Sequence, residues 1–354
     1  MDEAQPTKAN LLISLAALVV IVYGMQAASK LIVPFLVAAF LALITIRPML
    51  WMQRQRVPSF VAALVIVLAI MVVITIVGII VGRSLADFTA ALPSYQAQLN
   101  ALIDRTLVLL AEHTDYDRSV TDLGDLINPG WAMGLAANLL NALRQVMTNT
   151  LLILLTMVFI LLEASSFPSK VTAAFGKSVE SLTGFREFLN NLGRYLGIKT
   201  LVSMATGFLA WLLTWWIGLD FPQLWGMLAF LLNYIPTIGS IIAAVPAILL
   251  ALIQLGLGEA TATLIGFVAI NIAFGNVLEP RLMGYGVGIS PLIIFVGLIF
   301  WGWVFGPIGM LLSVPLSMAL KLALESDERT RWIAIFIGSQ RDARYALSTS
   351  GPPG

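Results

Sequence analysis

The chain has 354 residues, 59% of them hydrophobic and only 11% charged, with a mean hydropathy of +0.93 and a formal net charge of +1. Soluble domains carry about 25% charged residues, so an ordinary water-facing surface is excluded, and the near-zero charge balance excludes a broad basic face for nucleic acid. The chain contains no cysteine, which excludes a disulfide framework and thiolate chemistry.

The apolar runs are continuous rather than alternating, which predicts spanning helices and not barrel strands. The first run covers about Asn10 to Ser29 and has no small-residue cleavage pattern behind it, so it reads as a retained span. A second covers about Leu31 to Leu50 and a third about Ser59 to Gly82. The linker between them carries Arg47, Arg54 and Arg56 and no acid, which places it and the amino terminus in the cytoplasm. Residues 1–82 thus form a first group of three spans.

Residues 83–146 differ in character. Asp87, Asp104, Glu112, Asp115, Asp117, Asp122 and Asp125 outnumber Arg83, Arg105, Arg118 and Arg144. Leu92, Leu99, Ile103, Leu107 and Leu110 recur at helical spacing, so a helical insert on the outer side is expected. Asn128-Pro129-Gly130 marks a turn and a helix start. His113, the only histidine, stands beside Glu112 and Asp115 and reads as solvated surface, since a metal needs more ligands than these. A fourth span occupies about residues 147–163, with Glu163 at its interfacial end. Residues 164–199 carry Lys170, Lys177, Arg186, Arg194 and Lys199 among spaced apolar residues, the pattern of an amphipathic helix at the cytoplasmic surface. A fifth span runs from about Leu201 to Gly218, with Trp211, Trp215 and Trp216 at its outer end.

Residues 200–324 hold the features that carry function. Two apolar stretches, LWGMLAFLLNYIPTIGSIIAAVPAILLAL (Leu224 to Leu252) and LIIFVGLIFWGWVFGPIGMLLSVPLSMALKLAL (Leu292 to Leu324), are interrupted at matching places: Pro236, Gly239 and Pro246 in one, Pro307, Gly309 and Pro315 in the other. Proline removes a backbone donor and glycine loosens the helix. Such breaks are tolerated at membrane depth only in protein or beside a cavity, and paired broken segments point to a transporter site. Two topologies fit. In one each stretch spans and the all-α polytopic chain has about eight transmembrane helices; in the other six helices span and two re-entrant hairpins enter from opposite faces. Both leave the tail, residues 325–354, in the cytoplasm.

A further span, about Glu259 to Met283, contains Asn271, Asn276, Glu279 and Arg281. Asn276 and Glu279 share a helix face, and Pro280 frees the carbonyl of Asn276. An ionisable group in a span is a functional candidate; equally, Glu279 and Arg281 fit a helix end at the membrane edge. Asn233 caps a half-helix or binds solute. Asn233, Asn271, Asn276, Glu279 and Arg281 are therefore the candidate path residues. No P-loop, nucleophile elbow or HExxH occurs, so neither an enzyme nor a bound cofactor is expected.

These stretches, with GNVLEPRLMGYGVGISPLIIF between them and YLGIKTLVSMATGFLAWLL before them, strongly resemble the autoinducer-2 exporter family, the PerM-type permeases. The resemblance extends over nearly the whole chain. It implies a bacterial inner-membrane transporter, usually of eight spans, whose best-known activity is export of the quorum-sensing signal autoinducer-2, a small polar furanone-type molecule. Some relatives are described as sodium/proton antiporters. Family signature positions fall on Asn233, Pro236, Gly239, Pro246, Asn276, Glu279, Pro280, Gly284, Pro291, Gly306, Gly309 and Pro315. The expected partners are a small polar solute, H⁺ or Na⁺, and lipid, with a homo-oligomer packed through the insert and the amphipathic helix. The alternatives to solute export are Na⁺/H⁺ antiport and a non-transporting membrane scaffold.

Overall fold

The computed structural model describes residues 8–113, 148–175, 179–236, 238–283, 288–325 and 330–339. Among these the elements are helices, apart from one isolated antiparallel bridge between Ile289 and Gly338. Five helices are long and apolar enough to cross a membrane: Ser29–Arg54, Ser59–Ala91, Glu187–Ile217, Leu257–Met283 and Pro291–Leu311. Four shorter apolar helices accompany them, Leu15–Ala27, Thr150–Ala164, Pro222–Leu232 and Ile238–Gln254. The fold is thus an all-α polytopic membrane protein, and exposed side chains such as Leu68, Val72, Ile76 and Ile79 give it an apolar outer face.

The chain divides into two compact units. The first comprises Met1–Val67, Asn149–Phe188 and Gly288–Gly354. In it, α1 (Lys8–Ala27) and α2 (Ser29–Arg54) are separated only at Ala28, and Pro34 and Pro48 lie inside α2 without ending it. Helix α2 packs along α4 (Thr150–Phe175), burying Ala38, Ala42 and Met49 on one side and Ile153, Met157 and Leu161 on the other. The fourth span and the start of the expected amphipathic segment are therefore one helix, and Lys170 pairs with Glu163 at its exposed surface.

The second broken stretch lies in this unit. Helix α10 (Pro291–Leu311) is interrupted at Gly306, whose φ of 68° and ψ of −154° only glycine adopts readily. Helix α11 (Ser313–Glu325) follows, and then α12 (Arg331–Ile337). Residues 16 apart in a straight helix are about 24 Å apart, yet the Trp301 indole N–H donates to Ser317 Oγ at 3.2 Å. At the open end Lys321 Nζ donates to the Gly288 carbonyl at 2.8 Å, across 33 residues. The stretch is a hairpin, its tip packed with Trp301, Val304 and Phe305 against Val22, Met25, Ile32, Val33 and Leu36.

The second unit comprises Leu68–Thr148 and Leu189–Val287. Helix α5 (Val179–Ile217) runs unbroken through the residues expected to separate an interfacial segment from the fifth span. Helices α6 (Pro222–Leu232) and α7 (Ile238–Gln254) fold back on one another around Asn233–Pro236. Here too the base is closed: the Asp220 backbone N–H donates to Gln254 Oε1 at 3.1 Å, across 34 residues that would span about 51 Å as a straight helix. Each broken stretch therefore returns to the side it left, which is the hairpin arrangement of the two topologies that charge left open. At about 16 Å, the 11-residue α6 is also too short to cross a hydrocarbon core of about 30 Å.

The two hairpins turn on the same device. A Cβ on Gly239 would overlap the Leu232 carbonyl oxygen, and one on Gly309 would overlap that of Trp301. The proline positions are less alike. Pro246 sits inside an unbroken α7, Pro291 is the first residue of α10, and Pro315 lies in the first turn of α11, where its missing N–H costs nothing. Only Pro236 and Pro307 stand at true breaks.

Helix α3 (Ser59–His113) continues far beyond the third span, so that span and the start of the insert form one rod. The rest of the insert, with the Asn128–Gly130 turn, lies outside the described residues, as do Gly284 and most of the tail. Helix α8 (Leu257–Ile270) passes into a π-helix, Asn271–Leu278, and then α9 (Glu279–Met283).

Candidate functional site

Tyr195, Lys199, Ser203 and Thr206 recur along α5 at the spacing that puts them on one helical face. All four are buried, and Lys199 is the one buried charged side chain among the described residues. Leaving an ammonium unpaired there would cost several kcal/mol. Glu279 meets it: Lys199 Nζ donates to Oε1 at 2.7 Å and to Oε2 at 2.8 Å. The side chains are 5% and 16% exposed, so the pair is withdrawn from bulk solvent.

Glu279 is delivered by a local accident of sequence. Pro280 has no N–H and its ring would clash with the carbonyl four residues back, at Asn276. The preceding segment widens into the π-helix, and the Glu279 N–H bonds to the Phe274 carbonyl, five residues back. The freed-carbonyl expectation thus takes the form of a change in helix type. π-Segments within α-helices are frequent at functional positions.

The tip of the first hairpin contacts the same face of α5. Asn233 Nδ2 donates to Ser203 Oγ at 2.9 Å, and both groups are buried. The Tyr234 hydroxyl donates to Thr200 Oγ1 at 2.7 Å, and Thr200 in turn donates to the Leu196 carbonyl. Asn233 ends α6, and its side-chain amide is used on α5. Thr206 Oγ1, further along the face, is buried without a hydrogen-bond partner among the described residues. Helices α5 and α6 approach closely enough for this because Gly207 and Gly226 face each other. A Cβ on either would lie 2.8 Å from the other's carbonyl oxygen, the backbone approach that small residues allow between membrane helices.

Of the candidate path residues, Asn233 and Glu279 are brought to α5. Asn276 is exposed and does not share the Glu279 face, because the wider π turn shifts the register. Asn271 is half-buried, with Oδ1 lying over Gly275, and Arg281 is exposed. Lys199, Thr200, Ser203 and Tyr234 belong to the site although charge patterning assigned Lys199 to the cytoplasmic surface. The available signal was Ser203 and Thr206 following Lys199 at helical intervals inside an otherwise apolar run. His113 ends α3, and no group of three or more metal-ligating side chains occurs among the described residues.

Two hairpins broken at proline and glycine, with a buried Lys–Glu pair between membrane-crossing helices, define a polytopic membrane transport protein. Residues 15–327 match the model of the AI-2E family transporters, and the chain belongs to that family. It is 39% identical to the AI-2 transport protein TqsA of Escherichia coli K12, over 93% of this chain and 95% of that protein. A putative transport protein of Haemophilus influenzae is 35% identical over 94% and 97% of the two chains. The putative transport protein YhhT of E. coli K12 is 33% identical over 96% and 98%.

Proposed function

We propose that this transporter exports a small polar solute, autoinducer-2 or a similar signal molecule, across the bacterial inner membrane by alternating access, and that Glu279 carries proton coupling. The buried Lys199–Glu279 pair is the observation that carries the reading. While paired, the two charges satisfy each other. If they part, each charge is left in an apolar surrounding at a cost of several kcal/mol, so opening of the pair has to be linked to another event at the site. The tip of the first hairpin holds α5 at Ser203 and Thr200, beside Lys199, so movement of the hairpin and opening of the pair act on one helix. The choice of solute is supported by the likeness to TqsA, whose name states AI-2 transport. Both termini are read as cytoplasmic.

Export of autoinducer-2 from proteoliposomes, followed across pH, tests this. Glu279→Gln should abolish coupled export while the protein still reaches the membrane. Normal export by that variant at every pH removes Glu279 from the mechanism. The same pair favours a second reading, Na⁺/H⁺ antiport, in which Na⁺ takes the place of the Lys199 ammonium at Glu279. Everted vesicles with a pH dye separate the two, since only antiport gives proton movement triggered by Na⁺. Solute flux in purified vesicles would eliminate a non-transporting scaffold.

A further inference from the structure

Glu279, which reaches Lys199, directly follows a segment wound as a π-helix. From this we infer that Pro280 is a positioning residue for Glu279, acting through the Asn271–Leu278 π-helix as a register switch, with the α-helical form as the state in which the pair is open. The inference rests on reading that pair as the coupling element.

The geometry follows from helix winding. An α-helix turns about 100° per residue, from 3.6 residues per turn. A π-segment accommodates about one extra residue, so everything after it is rotated by about that angle relative to a continuous α-helix. If Asn271–Leu278 wound as an α-helix continuous with α8, Leu278 would take the direction Glu279 now has. Glu279 would face about 100° away, and Lys199 would be left buried without its partner. Two features support the wide form. Pro280 disfavours the α-form by its clash with the Asn276 carbonyl. Gly275 leaves room on the widened turn: a Cβ there would lie 2.9 Å from Asn271 Oδ1, and the Asn271 side chain would have to turn aside. Release thus needs no break in the helix, only the exchange of five-residue for four-residue hydrogen bonds.

Labelling of Glu279 by a hydrophobic carbodiimide, read by mass spectrometry on purified protein in lipid nanodiscs, tests the register directly and independently of transport. In the native chain the ion-paired carboxylate should label slowly. Pro280→Ala, which permits the α-form, should raise labelling several-fold. Removing Val277 while keeping Pro280 should raise it as well, because the π turn is kept and one residue is lost. Combining Pro280→Ala with removal of Val277 should return labelling to the native level, since the two changes rotate Glu279 in opposite senses. If each single variant fails to give monodisperse protein while the combination succeeds, the compensation is read from folding instead. Native-level labelling in Pro280→Ala, or a combined variant no better than its parents, overturns the inference. A labelling pattern as expected, together with normal export by Glu279→Gln, keeps the switch and discards the coupling role.

Discussion

Replacing Lys199 by Met tests whether the buried pair serves stability or function. At 2.7 Å and an effective dielectric constant of about 20, the Coulomb attraction is about 6 kcal/mol. Desolvating the two charges costs several kcal/mol per ion, so the net contribution of the intact pair is small. Breaking it is another matter. Lys199→Met strands Glu279, and Glu279→Leu strands Lys199, each at a cost of about 3–5 kcal/mol. The double variant, with two apolar groups in place of the pair, should lie close to the native protein and far above either single variant. Reversible unfolding by SDS in mixed micelles gives the midpoints, and export from proteoliposomes is measured on the same preparations. The expected outcome is a stable double variant that does not perform coupled export. Additive single-variant losses would refute the claim that these two charges satisfy each other, and full coupled export by the double variant would refute the functional reading.

The hairpin glycines should differ in sensitivity. Gly239→Ala and Gly309→Ala drive a methyl into a backbone carbonyl and should cost about 1–3 kcal/mol or more, seen as lowered melting temperature and aggregation on size exclusion. Gly306→Ala meets no atom within 4 Å, so its cost is the left-handed backbone alone, about 1–3 kcal/mol. At the α5–α6 crossing, Gly226→Val should push against Trp211 Cβ, 2.6 Å from the added carbon, and part Asn233 from Ser203, lowering melting temperature and export together. Outside the membrane-crossing part of α3, the Tyr95 hydroxyl donates to Asp220 Oδ2 at 2.6 Å, and Tyr95→Phe should cost about 1.5–3 kcal/mol. Burial first, and then Asp220, push the Tyr95 hydroxyl above its usual value of 10.0. Its contribution is therefore complete below about pH 10 and is lost as pH rises further, so alkaline melts of the native protein should fall more steeply than those of Tyr95→Phe.

Composition and run length made the membrane class legible, because a lipid-facing surface cannot hide its charge deficit. Proline and glycine placed the breaks near Pro236 and Pro307, since both act through the backbone alone. The fold-back could not be read in the same way. Helix α10 has the length and hydropathy of a span, and only the Trp301–Ser317 and Lys321–Gly288 contacts show that the chain doubles back. Pro246 was legible as a breaker and is not one: α7 runs through it with Pro246, Ala247 and Leu250 buried, and membrane helices tolerate proline where neighbouring groups re-satisfy the freed backbone. Lys199 is the instructive case. A lone lysine following Lys170, Lys177, Arg186 and Arg194 looks like the last member of a cytoplasmic basic set. Its burial depends on Glu279, 80 residues on, and on a π turn whose rotation no α-helical wheel would place correctly.

That rotation also explains why Asn276 is exposed while Glu279, three residues on, meets Lys199, and it bears on how the two sets of contacts on α5 relate. Lys199, Thr200 and Ser203 occupy adjacent positions on α5. Through them one turn of helix holds both Glu279 and the tip of the first hairpin at Asn233 and Tyr234. Both contacts thus constrain the same turn of α5. Asn233→Ala should therefore do more than remove a hydrogen bond from buried Ser203, a loss of about 1–3 kcal/mol. It should weaken the hold of the hairpin on α5 and raise carbodiimide labelling of Glu279, although Asn233 does not touch it. Unchanged labelling of Glu279 in Asn233→Ala would mean that hairpin and ion pair merely share a helix, without coupling through it.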